Sequence, residues 1–144
     1  MNPEHHFVFD PDKLAHYATS VLGAAGDWQE MLPYATASIQ HAVATRTGPD
    51  GRAEELVVRP LRLASAQAEM AFRAAWFGAL DTALELAGRA LTYTWQCGTI
   101  VRRIGELEPV LAERWPSERP RLREFRLQLS HTRRALAWPD HEQA

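Results

Sequence analysis

From Pro60 to Leu107 the helical spacing of apolar residues is almost unbroken, and this run limits the fold more than any other feature of the chain. As one helix its 48 residues would form a rod about 72 Å long. A chain of 144 residues, 46% of them hydrophobic, suits one compact domain, so the run must turn back on itself. Gly78, Gly88, Gly98 and Gly105 are the available breaks. Gly78 is the best supported, because Thr82 and Glu85 follow it at capping-box spacing. The pattern therefore predicts helices over 60–77 and 81–96, and a fifth from Thr99 to Arg114 that is disturbed at Pro109.

The flanking segments read in the same way. Asp10 can accept bonds from first-turn amides, and Pro11 sits where its missing N–H does no harm. Leu14, Ala18, Val21, Leu22 and Ala25 then follow at one-sided helical spacing. Gly26 ends that helix, and Asp27 with Glu30 forms a capping box for a second, which runs to Arg46. Pro33 predicts a kink in its second turn, or a start there. Residues 46–59, "RTGPDGRAEELVVR", break the pattern around a turn signal and read as the one long loop, with "ELVV" as a short extended piece. "WPSERP" is a stop with Ser117 as the next cap, and residues 118–137 carry the stripe Leu122, Phe125, Leu129, Thr132 and Leu136. Residues 1–9 and 138–144 read as frayed tails. The expectation is a single all-α domain of about six helices in three antiparallel hairpins.

A repeat lies within this pattern. With Gly26 set on Gly78, Trp28 falls on Leu80, Met31 on Ala83, Ala35 on Ala87, Ser38 on Ala90 and Ile39 on Leu91. Upstream, Ala18 falls on Met70 and Leu22 on Ala74. Small residues recur where two helices would cross, which allows axes near 8–10 Å apart. The pattern resembles the tetratricopeptide repeat, a helix–turn–helix of about 34 residues. The resemblance covers residues 12–45 and 65–97, with the 46–59 segment absorbing most of an offset longer than that period. Pro33 and Ser38 depart from it, and the third hairpin fits poorly. A plain helical bundle with the same crossings satisfies the residues equally. "WFG" at Trp76–Gly78 also resembles the Trp-x-Gly turn of small secreted helical-hairpin proteins, although their C-terminal export signal is not evident in this chain.

Few chemistries find their residues here. The single cysteine, Cys97, excludes an internal disulfide and reads as a small apolar side chain inside a helix. His5, His6 and His141 fall in the tails, and His16 and His41 fall on different helices with no Glu-x-x-His pair, so no metal is expected. There is no nucleophile elbow, and no glycine loop before a lysine to cradle phosphate. No cofactor is expected, and the reading leans against an enzyme. A pocket near Trp95 and Cys97 stays open as an alternative: a small-molecule-binding bundle or enzyme. The start "MNPEHHFVFDPDK" lacks the basic and apolar order of a signal peptide, and no stretch approaches a membrane span. A cytoplasmic, reducing location is the expectation.

Net charge is −2, but its distribution is uneven. Residues 102–134 hold nine arginines against five glutamates. Arg119, Arg123 and Arg126 share a helix face, with Arg133 and Arg134 further along, and such a row could follow phosphates. Glu118 and Glu124 are interleaved and no exposed aromatic is apparent to stack bases, so a nucleic-acid-associated factor is the second reading. The first follows from the tetratricopeptide resemblance. It implies a groove lined by the first helix of each hairpin, at Lys13, His16 and Ser20 and at Phe72 and Trp76. Such a groove would hold a peptide or partner helix, with the rings as anchors. The predicted role is a non-catalytic adaptor that binds another protein. A short stack with uncovered terminal faces also leaves a homodimer open.

Overall fold

The computed structural model describes residues 10–93 and 97–137. Six helices account for most of the fold: α1 (Pro11–Ala24), α2 (Trp28–Ala42), α3 (Pro60–Trp76), α4 (Leu80–Tyr93), α5 (Gly98–Arg114) and α6 (Arg119–Ala137). The all-α expectation holds, with one addition. Two short strands, β1 (Val43–Thr47) and β2 (Ala53–Val57), pair antiparallel between α2 and α3.

That hairpin corrects the loop expected over 46–59. The β-branched Val43, Thr45 and Thr47 resist helix and suit strand, so α2 stops at Ala42 rather than Arg46. Gly48–Gly51 then reverse the chain, with Gly51 N–H bonded to the Gly48 carbonyl at 3.0 Å. Asp50 accepts from the Arg52 amide at 3.1 Å and secures the turn. Every residue of β2 is exposed, so the ribbon projects from the helices instead of contributing to their core.

Local rules explain most helix ends. Asp10 is extended (φ −98°, ψ 106°) and its carboxylate accepts from the amides of Lys13 (3.2 Å) and Asp12 (3.0 Å). Those bonds, the Lys13 amide foremost, hold the Asp10 carboxyl below its usual range. Asp27 makes no such bond, because its backbone (φ −88°, ψ 68°) is not the extended form a cap requires. The capping box expected there does not form, and α2 runs on through Pro33. The Thr82–Glu85 box fails for another reason. The helix begins at Leu80, which leaves Thr82 inside its first turn and Glu85 paired with Arg89 at 2.6 Å.

Both glycines of the proposed repeat turn the chain with positive φ, +73° at Gly26 and +84° at Gly78. A side chain is strained in that region, so Gly26→Ala and Gly78→Ala should each cost about 1–2 kcal/mol in urea unfolding. Gly78→Ala should cost the more, since its methyl would also meet the Arg114 guanidinium at 3.2 Å, whereas nothing lies within 4 Å at Gly26.

Packing follows the small residues. Met31, Ala35 and Ser38 on α2, and Ala83, Ala87 and Ala90 on α4, are all buried at matching positions. Consecutive helices pack in pairs, α1 on α2, α3 on α4 and α5 on α6. The odd-numbered helices also form a row, with α3 between α1 and α5, while α2 packs on α3 and α4 meets α6. The main core lies among α3–α6 and includes Phe72, Leu91, Ile104, Leu107, Leu111, Phe125 and Leu129. Burying side chains of this size contributes about 1.5–3 kcal/mol each before entropy is set against it.

Candidate interaction cleft

The row of odd helices is joined at one side chain. Arg103 on α5 makes a bidentate pair with Glu69 on α3, at 2.8 Å through Nε and 2.7 Å through Nη2. The same Nη2 donates to the Gly23 carbonyl on α1 at 3.2 Å, and Nη1 donates to Glu106 at 2.8 Å. Its guanidinium lies 3.9 Å from the centroid of the Phe72 ring. The Glu69 side chain is 6% exposed and that of Arg103 25%. The hydrogen bonds to Glu69 raise the Arg103 pKa further above its already high ordinary value, against the effect of burial.

This cluster divides the groove expected along α1 and α3. Ser20 lines a cleft on one side, with Ala24, Thr99 and the Glu69–Arg103 pair in its wall. Phe72 and Trp76 line a different one. Lys13 and His16 line neither. Lys13 Nζ lies 5.9 Å from the Tyr17 ring centroid, and the half-buried His16 imidazole is tilted against the same ring. Burial, and then the nearby charge of Arg62, hold the His16 pKa below its usual range. The five positions taken as one surface are therefore three separate environments. The physical reason is α5, which packs against α3 and lays Arg103 where the middle of the groove would be.

The second cleft, about 570 Å³, has the more distinct chemistry. Trp28, at the start of α2, stacks on Phe72 with centroids 6.2 Å apart and planes inclined by 8°. Ala75 and Trp76 from α3 and Val110 from α5 complete the apolar wall, and Glu113 and Arg114 stand at the rim. Phe72 is only 8% exposed, whereas Trp76 is 63% exposed and its neighbour Phe77 60%. Arg114 Nη1 donates to the Trp76 carbonyl at 3.0 Å, a cation on the last turn of α3. The sequence singled out Phe72 and Trp76 by their spacing on one helix, but Trp28, Val110 and Arg114 were missed. They reach the cleft through packing of other helices. The one signal for Trp28 was its place as the large residue after Gly26.

No protein family, curated protein or solved structure matches the chain. The remaining sequence candidates are placed by the structure alone. Arg119, Arg123 and Arg126 line a common cleft on α6, while Arg133 and Arg134 do not. Cys97 is not inside a helix: it precedes α5 in extended conformation and is half-buried. His41 is paired with Asp12 at 2.8 Å. Among the described residues no group of three His, Cys, Asp or Glu side chains is placed to hold a metal ion. None of the helices is long and apolar enough, among those residues, to cross a membrane. Trp95, His5, His6, His141 and the two tails lie outside the described residues, so the pocket considered near Trp95 does too.

Proposed function

We propose that this chain is a binding module that takes a peptide segment or partner helix in the Trp28–Phe72–Trp76 cleft. The observation that carries the reading is an indole 63% exposed at the rim of an apolar cleft already floored by a stacked ring pair. An isolated exposed tryptophan is unfavourable in water, while a rigid ring beside an apolar cleft gives contact area at small entropic cost. The walls would accept one bulky apolar side chain. Glu113 and Arg114 would meet main-chain amides and carbonyls beside it.

Phe72 is a poor probe of this site, because it is buried beneath Arg103 and its loss would disturb the fold. Trp76→Ala and Val110→Asp change exposed positions instead. Peptides selected by display against the wild-type chain should bind the Trp76→Ala variant about 2 kcal/mol more weakly or worse, the size expected of a tryptophan anchor. Thermal unfolding of both variants should match the wild type. Undiminished binding by the two folded variants would exclude this cleft as the site.

A further inference from the structure

Along the sequence, the charges that open α6 are interleaved: Glu118, Arg119, Arg121, Arg123, Glu124, Arg126. The fold sorts them onto two faces. Arg121 and Glu124 border a cleft beside α4 with Asp81, Glu85 and Gln128. There Arg121 pairs with Asp81, and with Glu118 at 3.8 Å. Arg119, Arg123 and Arg126 border a second cleft, of about 390 Å³, with Ala112, Trp115, Pro116 and Leu122. Arg126 is held by Glu108 at 2.8 Å. Among the described residues no carboxylate pairs with Arg119 or Arg123. An indole also stands in this cleft. The interleaved acids, Glu118 and Glu124, do not line this cleft, and a half-buried indole does.

The combination is chemically selective. Two unpaired guanidiniums and a third, singly paired one favour a doubly charged anion, and their forked donors match phosphate oxygens. The half-buried Trp115 indole also lines the cleft, with the Arg114 guanidinium 5.3 Å from its ring centroid, and Leu122 and Ala112 give an apolar floor. The volume is within the range of about 300–1,000 Å³ usual for small-ligand clefts. A bare phosphate would leave the indole and the floor unused, and a duplex would keep its bases away from them. We propose that this cleft binds a nucleoside phosphate, either as a free nucleotide or as a unit of a single strand. The site is separate from the Trp76 cleft, and Trp76→Ala should leave it intact.

The test uses the full chain with two fluorescent probes, a labelled adenosine nucleotide and a labelled oligo(dT), read by anisotropy. Binding of oligo(dT) should weaken roughly tenfold as salt rises from about 50 to 200 mM, as expected for two or three engaged phosphates of a strand. The double variant Arg119→Gln/Arg123→Gln changes exposed side chains and should fold normally while binding about tenfold more weakly or worse. Trp115→Phe retains a ring and most of the packing, and should weaken binding less. Arg134→Gln, exposed on the same helix outside the cleft, should bind as the wild type does. Displacement of oligo(dT) by free nucleotide at low concentration identifies the nucleotide as the ligand. Failure to displace it identifies the strand. The proposal is overturned if neither probe binds or if Arg134→Gln loses as much as the double variant. It also falls if inorganic phosphate displaces the probes as well as the nucleotide does.

Discussion

Arg103→Met should destabilise the protein by about 3–5 kcal/mol, the usual cost of removing one partner from a buried ion pair. The substitution keeps the length and some of the packing over Phe72. It leaves the Glu69 carboxylate, with its side chain 6% exposed, without a cation and without either of its two hydrogen bonds. The Gly23 carbonyl loses its donor as well. Urea denaturation reads this directly. Adding Glu69→Gln to Arg103→Met should restore part of the loss, because it removes the unpaired buried charge. A deficit unaffected by Glu69→Gln would show that lost packing rather than the unpaired charge is responsible.

Gly23→Ala should have the next largest effect, about 1–3 kcal/mol, as an overpacking change. Gly23 lies in α1 with ordinary helical geometry, so the argument concerns space alone. A methyl there would come within 2.9 Å of Glu69 Cγ and closer still to the carboxyl carbon. Glu69 is held by Arg103 and cannot swing away without giving up that pair, so α1 must move off α3. In an isolated helix alanine would be favoured over glycine by up to about 1 kcal/mol, so the sign of the result separates close approach from helix propensity. The effect should also shrink in an Arg103→Met background, where Glu69 is free to shift. Additive losses in the double variant would show that the two sites are independent.

How much of this was legible in the sequence depends on the range of the interaction. The turns at Gly26 and Gly78 and the buried row Ala83, Ala87 and Ala90 follow from spacing within one helix, and they stand where the pattern put them. The ribbon at Val43–Val57 was read as the end of a helix and then a loop, because its residues are nearly all exposed and no in-and-out alternation marked it. The Phe72–Trp76 pair was visible because both lie on α3, four residues apart. Glu69 and Arg103 are 34 residues apart, and nothing local to either announces the other. That one unseen pair is why a continuous groove was expected where two clefts exist. The α6 arginines show the same limit: their order along the chain mixes them with acids, and only the neighbouring helices separate the two faces.

The projecting ribbon has a consequence for behaviour in concentrated solution. Each of its two strands has an outer edge of unpaired main-chain groups, a template on which further strands can grow into aggregates. Its length of five residues per strand gives little to copy. Arg46, Glu54 and Glu55 place charge at two adjacent rungs in the middle of that length, so a second ribbon pairing across them would set like charges together or strip them of water. The segment that contributes least to the core thus carries its own protection against stacking on itself.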